Sequence, residues 1–358
     1  MGVHSPWISH LLFVDDCIVF SEASHRGADR LRSILDIYSR GSGQLVNRDK
    51  LAVFFCNNCD DQMKEVIRVG LDIQNEALAE KYLGLPTAVG RSTKESFEYL
   101  PTRVKGAIGS WSGREASCAG REILLKMVDQ AISTYSMSCW KLPVETCDKM
   151  RAAIANYWWG SSTDNRHIHW MRWDRLTAAK CQGGMGFRNL RHFNVAMLGK
   201  QGWRLMSRPE SLCARVLKGR YFHDSDFMEC TRKKHASHTW RAILAGREVL
   251  GQGLIKRIIG DGSLTNIWRD RWLPQHFNGR PITPLADQYV TRVADLITAS
   301  GQWNEDLVRQ VFFLVDAEAI LRTPIRGRGD DIWAWELEKH GMYSVRSAYR
   351  LLENQRLH

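Results

Sequence analysis

No run of apolar residues approaches the ~18 that a helix needs to cross a bilayer, so no membrane span or membrane partner is expected. Proline is sparse, at 9 in 358 residues, and no tract is given over to glycine, serine or one sign of charge. That excludes collagen-like, fibrous and wholly disordered chains. The 9 cysteines are scattered and odd in number, and Cys56 and Cys59 form the sole CxxC. A disulfide scaffold is not expected at this length, and a reducing compartment is. The first residues lack a secretory pattern, because Asp15 and Asp16 interrupt the short apolar stretch. Pro6 stands where a myristoylation signal wants Ser or Thr.

What the chain has in quantity is apolar material and positive charge. Hydrophobic residues make up 44% and charged residues 25%, enough for real cores over two or three domains. Basic residues number 50 against 39 acids, a net charge of +11, and 35 of the 50 are Arg. Arginine offers phosphate a flat, bidentate fork, so a polyanion is the expected partner, nucleic acid ahead of an acidic membrane surface. The 14 Trp imply bulky packing or stacking surfaces.

Residues 10–20 read as a β-hairpin with Asp15 and Asp16 at its tip. Leu31, Ile34, Leu35 and Tyr38 share one face of a helix over 27–39, which GSGQ at 41–44 ends. LAVFF at 51–55 reads as a strand and 60–70 as a helix, so the first 85 residues give an α+β pattern. Helical spacing then covers 92–109 and 120–138. Pro143 opens a further helix and Gly160 closes it. A basic helix spans 191–207, residues 220–290 look irregular or β-rich, and 322–331 looks like a linker. IIGDGS at 258–263 is a turn, and the tail carries a helix from Ser344.

Four features point to chemistry. Two carboxylates at a hairpin tip, Asp15 and Asp16, are hard oxygen donors of the kind Mg²⁺ takes, and equally suit a solvated turn. From 180 to 220 there are nine basic residues, Lys180, Arg188, Arg191, Lys200, Arg204, Arg208, Arg215, Lys218 and Arg220, against the single acid Glu210. Phe187, Phe193, Trp203 and Tyr221 are interleaved with them. Basic residues contact phosphates and aromatics stack on bases, or the stretch is a solvated face over a core. A lesser basic set is Arg103, Lys105, Arg114 and Lys126. Cys56 and Cys59 supply two thiols where structural zinc takes four ligands, so no zinc is expected within the chain.

The order of short motifs adds a resemblance. The motifs are Phe13-Val14-Asp15-Asp16, SGQLVNRDK at 42–50, Tyr82-Leu83-Gly84-Leu85-Pro86, Gly90-Arg91-Ser92 and the long segment 119–143. Trp158-Trp159-Gly160, His169-Trp170, Trp173, Lys180, GGMGFR at 183–188, KQGWR at 200–204 and IGDG at 259–262 follow. Trp333, Trp335 and YSVRSAY at 343–349 close the series. Together they resemble the reverse transcriptase of plant LINE-type, non-long-terminal-repeat retroelements, over nearly the whole chain.

That resemblance implies an α+β fold with a partial polymerase palm at 1–90 and a helical, thumb-like region at 91–180. A connection region would follow at 181–325, then the start of a zinc-binding domain at 331–358. It implies RNA-directed DNA polymerase chemistry with Mg²⁺, template and primer (RNA and DNA) as partners, and a nuclear place of work. Asp15 would be a metal ligand and Asp16 its weaker neighbour, while Lys50 would face the incoming triphosphate or be a solvated lysine. Tyr82, Leu83 and Gly84 would grip the primer or simply pack. Leu51 stands where the family has Ser. The family's palm also uses a further Asp upstream, fingers, and zinc ligands beyond YSVRSAY. The expectation is therefore an internal piece of a polymerase, inactive alone, or else a non-catalytic nucleic-acid-binding remnant.

Overall fold

Residues 190–207 carry apolar side chains nearly all the way round, the pattern of a helix at the centre of a bundle rather than on its surface. The computed structural model describes the chain apart from residues 1–3, 48–49, 57, 74, 76–80, 87–92, 112–115, 161–166, 235, 253–255, 274–275, 286–289, 328 and 358. Gly90-Arg91-Ser92, Arg48, Asp49 and Arg114 therefore lie outside the described residues. The fold is α+β, with helices and short antiparallel strand pairs. The chain divides into two units, Pro6–Ser96 and Phe97–His358, the latter joined by Met1–Ser5.

In the first unit, β1 (His10–Phe13) and β2 (Asp16–Val19) form the hairpin, with Phe13 opposite Asp16. The turn is thus Val14-Asp15, and Asp16 already belongs to a strand. α1 (His25–Ser42) is capped by the Ser24 hydroxyl, which accepts from the Gly27 N–H, and ends at Gly43 in the left-handed region. It packs on α2 (Asp61–Leu71) through Ala28 and Ile67. Of the four face residues read from the sequence, Leu31 and Leu35 are half-buried, whereas Ile34 and Tyr38 are exposed. LAVFF is not a strand. A strand exists only by pairing, and among the described residues only Ala52 bridges, in parallel, to Asn75. β3 (Lys81–Tyr82) and β4 (Leu85–Pro86) form a second hairpin. Its turn has φ 50° at Leu83 and 78° at Gly84, the pattern of a type I′ turn. The short helix α3 (Thr93–Ser96) ends the unit.

The second unit opens with α4 (Tyr99–Trp111). The expected helix over 92–109 is therefore interrupted at Phe97-Glu98. The one over 120–138 is also broken, into α5 (Cys118–Leu124), a π turn at Leu125–Asp129, α6 (Gln130–Ile132) and α7 (Thr134–Cys139). α8 (Val144–Trp159) starts after Pro143 and stops at Gly160, φ 74°, as the sequence predicts. α9 (Trp173–Thr177) precedes α10 (Leu190–Ser207), whose Asn189 cap accepts from the Arg191 and His192 N–H groups. α11 (Leu212–Tyr221) and α12 (His238–Gln252) follow, then β5 (Lys256–Ile258), α13 (Glu305–Val311), α14 (Leu314–Arg322), β6 (Ile332–Ala334) and α15 (Val345–Leu357).

Residues 220–290 are thus neither irregular throughout nor β-rich, since α12 lies within them. Gly246 lies inside α12. It is there because a Cβ at this position would lie 2.3 Å from the Leu198 carbonyl carbon and 2.4 Å from the Gly199 nitrogen, so the α10 and α12 backbones touch. Packed round that crossing are Trp203, Tyr221, Phe222, Phe227, Trp240 and Leu250.

The tail closes the same core. Trp335 and Ala348 are wholly buried in it, and the Tyr343 hydroxyl donates to the Ala196 carbonyl at 2.7 Å. The sequence set 331–358 apart, whereas the structure places it in one unit with 97–330.

A second core holds Ile267, Trp272, Val293, Leu296, Val308 and Ile320. Segment 322–331 is not a linker. Asp331 is buried and accepts from the N–H groups of Gly260, Gly262 and Leu264 and from the Thr265 hydroxyl, fixing the IIGDGS turn. Asp316 is likewise wholly buried, bonded to His276, to the Ile282 and Thr283 N–H groups and to the Thr283 hydroxyl. Burial by itself would raise its carboxyl pKa, but these donors prevail and hold it below the usual range.

Replacing Gly246 with Ala forces a methyl group into backbone that cannot yield locally. The expected loss is about 3 kcal/mol, the upper end for overpacking, read as a lowered urea midpoint with an unchanged slope. Stability equal to the parent's would mean that α10 and α12 do not meet at this glycine.

Candidate functional site

The hairpin carboxylates come first. Both Asp15 and Asp16 are exposed. Val14 before them has φ 48°, a left-handed conformation that costs a β-branched residue of order 1–3 kcal/mol. Strain of this size at a turn flanked by carboxylates marks a constrained corner. Among the described residues no group of three or more His, Cys, Asp or Glu side chains could hold a metal ion. Two adjacent carboxylates alone do not fit the donor set of a two-ion centre. Lys50 is exposed, and its N–H bonds the Asn47 carbonyl at 3.3 Å. No ion pair joins it to either Asp among the described residues. Tyr82 and Leu83 are half-buried and Gly84 exposed, with Leu83-Gly84 forming the turn of their hairpin. Cys56 is exposed and Cys59 half-buried, both with free thiols.

The basic stretch resolves into two populations. From Lys180 to the first turn of α10 the charges are engaged. Lys180 pairs with Glu122 at 2.8 Å and Arg191 with Asp148 at 2.6 Å. Arg188 is half-buried, its guanidinium 4.5 Å over the Phe193 ring. Burial lowers its pKa. The Lys126 ammonium, and after it that of Lys180, hold the Glu122 carboxyl below its usual range.

Further along, the charges are open. α10 is buried so extensively that its exposed positions are Arg191, Lys200, Arg204 and Ser207, and three of these are basic. Lys200 and Arg204 follow at i and i+4 on one face of the helix, and the exposed Arg208 caps its C-terminal end. Arg204 donates to the Gln201 side chain at 3.2 Å, an uncharged partner. Arg215, Lys218 and Arg220 on α11 are basic as well, with Arg220 lying 5.5 Å from the Tyr221 ring centre. Arg215, Lys218 and Arg220 are all exposed. Among the described residues none of these six makes an ion pair. Gly219 holds this helix against the N-terminal arm, since a Cβ there would sit 2.3 Å from the His4 carbonyl oxygen.

The interleaved aromatics do not join the charges at the surface. Phe187, Phe193, Trp203 and Tyr221 are all buried. They alternate with basic residues because one side of each helix faces the core, so their spacing reports amphipathicity and not a stacking platform. Exposed aromatic side chains of this unit lie elsewhere, at Tyr135, Trp170, Phe277 and Phe313, of which Trp170 is the most open.

The two populations separate by mutation. Arg188→Ala should cost about 1 kcal/mol of stability through weakened packing and the missing cation–π interaction, lowering the thermal midpoint. Lys200→Ala and Arg204→Ala should stay within about 0.5 kcal/mol of the parent. A destabilised Lys200→Ala protein would show that this lysine is a structural residue.

No family model matches the sequence. Two proteins of Arabidopsis thaliana are similar to it. One is an uncharacterized mitochondrial protein, 42% identical over 156 residues, which are 43% of this chain and 99% of that protein. The other is a putative ribonuclease H protein, 28% identical over 282 residues, 75% of this chain. The match takes in 44% of that protein's own length, so the chain spans less than half of this relative. No helix of the described residues is long and apolar enough to cross a membrane. With 42% identity over nearly the whole of the mitochondrial protein, the chain belongs to the same family as that protein.

Proposed function

We propose that the chain is a retroelement-related protein that holds nucleic acid on the open basic surface of α10 and α11, as part of a LINE-type reverse transcriptase lineage. The observation that carries the reading is that surface. Lys200, Arg204, Arg208, Arg215, Lys218 and Arg220 reach the surface and are free of ion pairs among the described residues. Six charges without ion pairs on α10, α11 and the turn between them are a phosphate-binding surface by their chemistry, since each phosphate neutralised releases counterions. The putative ribonuclease H protein, named for an activity on nucleic acid, supports the same partner class. The order of motifs from Phe13-Val14-Asp15-Asp16 to YSVRSAY supports the reverse transcriptase lineage, with RNA and DNA as template and primer.

Binding is expected to depend little on sequence and steeply on salt. Replacing Lys200, Arg204, Arg215 and Lys218 together by Ala should weaken binding to all strands alike. It should also flatten the slope of log affinity against log salt by about 0.7 for each phosphate of a single strand that is no longer neutralised. An unchanged affinity and slope in a folded variant would overturn the proposal.

The hairpin supports the finer reading, in which Asp15 and Asp16 lie at the polymerase's metal-binding corner and Mg²⁺ is its ion. The fit is incomplete, because the pair has no third carboxylate beside it among the described residues. No catalytic step is therefore assigned to this chain by itself. In a primer-extension assay on an RNA template with all four deoxynucleotides and Mg²⁺, the isolated chain is expected to add nothing. Extension that Asp15→Asn abolishes would restore the enzyme reading for the chain alone.

A further inference from the structure

The basic residues of α10 and α11 have no exposed aromatic residue among them in the described residues, yet one segment of the same unit presents a Trp between His rings at its surface. Residues 167–172, His-Ile-His-Trp-Met-Arg, form neither helix nor strand beyond a bend, and all six are exposed. Trp170 is 80% exposed, the most of any described Trp in this unit. An indole left in water at this level costs apolar burial without evident structural return.

The segment is nonetheless firmly seated. The His169 imidazole stacks on Trp159, centres 5.9 Å apart and planes 24° from parallel. Trp159 meets Trp158 edge-on at 6.4 Å, and Trp158 meets Phe187 at 5.1 Å. Trp173 stacks on the other side of Phe187 at 5.0 Å, and Phe187 is buried. A ladder of rings thus runs from the core to His169 at the surface, with Trp170 next in the chain. Phe187 is itself held by a tight turn. The Phe187 and Met185 N–H groups both donate to the Leu176 carbonyl, and a Cβ at Gly184 would strike the Ala178 carbonyl oxygen at 2.1 Å.

The surroundings are basic. Of the five cations from 167 to 191, Lys180 and Arg191 are ion-paired and Arg188 lies over Phe193, which leaves the exposed Arg172 and Arg175 beside the segment, and the one acid, Asp174, pairs with Arg356 at 3.4 Å. Exposed rings with a positive border suit a single-stranded nucleic acid, whose unpaired bases have free faces. A duplex keeps its bases stacked on one another and offers none.

We infer that the His169–Trp170 segment, presented by the Trp159 ladder, is a base-stacking site for single-stranded RNA or DNA. This deepens the nucleic-acid reading above and rests on it. The charges on α10 and α11 would grip phosphates, and Trp170 would select strands with unpaired bases. An exposed stacking side chain adds affinity only when a base lies on it, so the site shows itself as a preference for bases and not as a salt effect.

The test compares two DNA single strands of about 15 nucleotides, one of thymidines and one abasic throughout. Both carry the same phosphates. The full chain should bind the thymidine strand about tenfold more tightly, the contribution of a single stacked base. Trp170→Ala should erase that preference while leaving affinity for the abasic strand and the salt slope as in the parent. Trp170→Leu, which keeps apolar bulk without a π face, should behave as Trp170→Ala, and Trp170→Phe should retain most of the preference. Matching thermal unfolding establishes that each variant is folded. A parent with a normal salt slope but no base preference, or a Trp170→Ala protein that keeps it, overturns the stacking site alone. A parent that binds neither strand overturns the nucleic-acid reading with it.

Discussion

The second unit depends on a steric constraint: the backbones of α10 and α12 meet at Gly246 with no room for a methyl group. That close approach lets α10 sit in the middle of the core, with α12 on one side, α7 on another and α15 on a third. Gly199, at the same crossing, would meet the Tyr343 hydroxyl oxygen at 2.4 Å if it carried a Cβ. The tail can therefore close over α10 only because both helices are bare where they cross. Larger side chains at either glycine would hold the helices at an ordinary interaxial spacing. The Tyr343 hydroxyl could not then reach the Ala196 carbonyl.

The charge pattern follows from that burial. A helix packed on three sides has few positions left for solvent, and these are the positions the sequence fills with Arg and Lys. The aromatic residues between them point inward and supply the apolar area that drives packing. From Lys180 to the first turn of α10 the basic groups are used up by Glu122, Asp148 and the Phe193 ring. At its end, and along α11, no carboxylate among the described residues offsets them. The same net charge thus has a structural share and a share available to a partner.

The first unit has a different physical character. Trp7, Leu12, Phe13, Val14, Ile34, Ile37 and Leu45 are all exposed, while among the described residues its buried hydrophobic side chains are Ala28, Ile67 and Ile73. A surface with so many large apolar side chains is suited to meeting more protein or a ligand. The strained Val14 beside Asp15 lies on that surface.

Local features were legible in the sequence. The hairpin at 10–20, the helix stops at Gly43 and Gly160, and the limits of α2, α8 and α10 each follow from residues close together in the chain, whereas α1 starts at the Ser24 cap, ahead of the 27 expected from apolar spacing. So does the amphipathic alternation of 180–220. The chain by itself determined these, because capping, turn geometry and helical periodicity act over a few residues. Only the tertiary structure decided what required a distant partner. The stretch 220–290 reads as irregular or β-rich until α12 packs on α10 at Gly246, and segment 322–331 reads as a linker until Asp331 finds the IIGDGS turn. LAVFF has strand composition but, among the described residues, no ladder. The direction each aromatic faces was settled in the same way. Spacing alone treats Trp203 and Trp170 alike, and packing against α12 and the tail buries the first while the second stays at the surface.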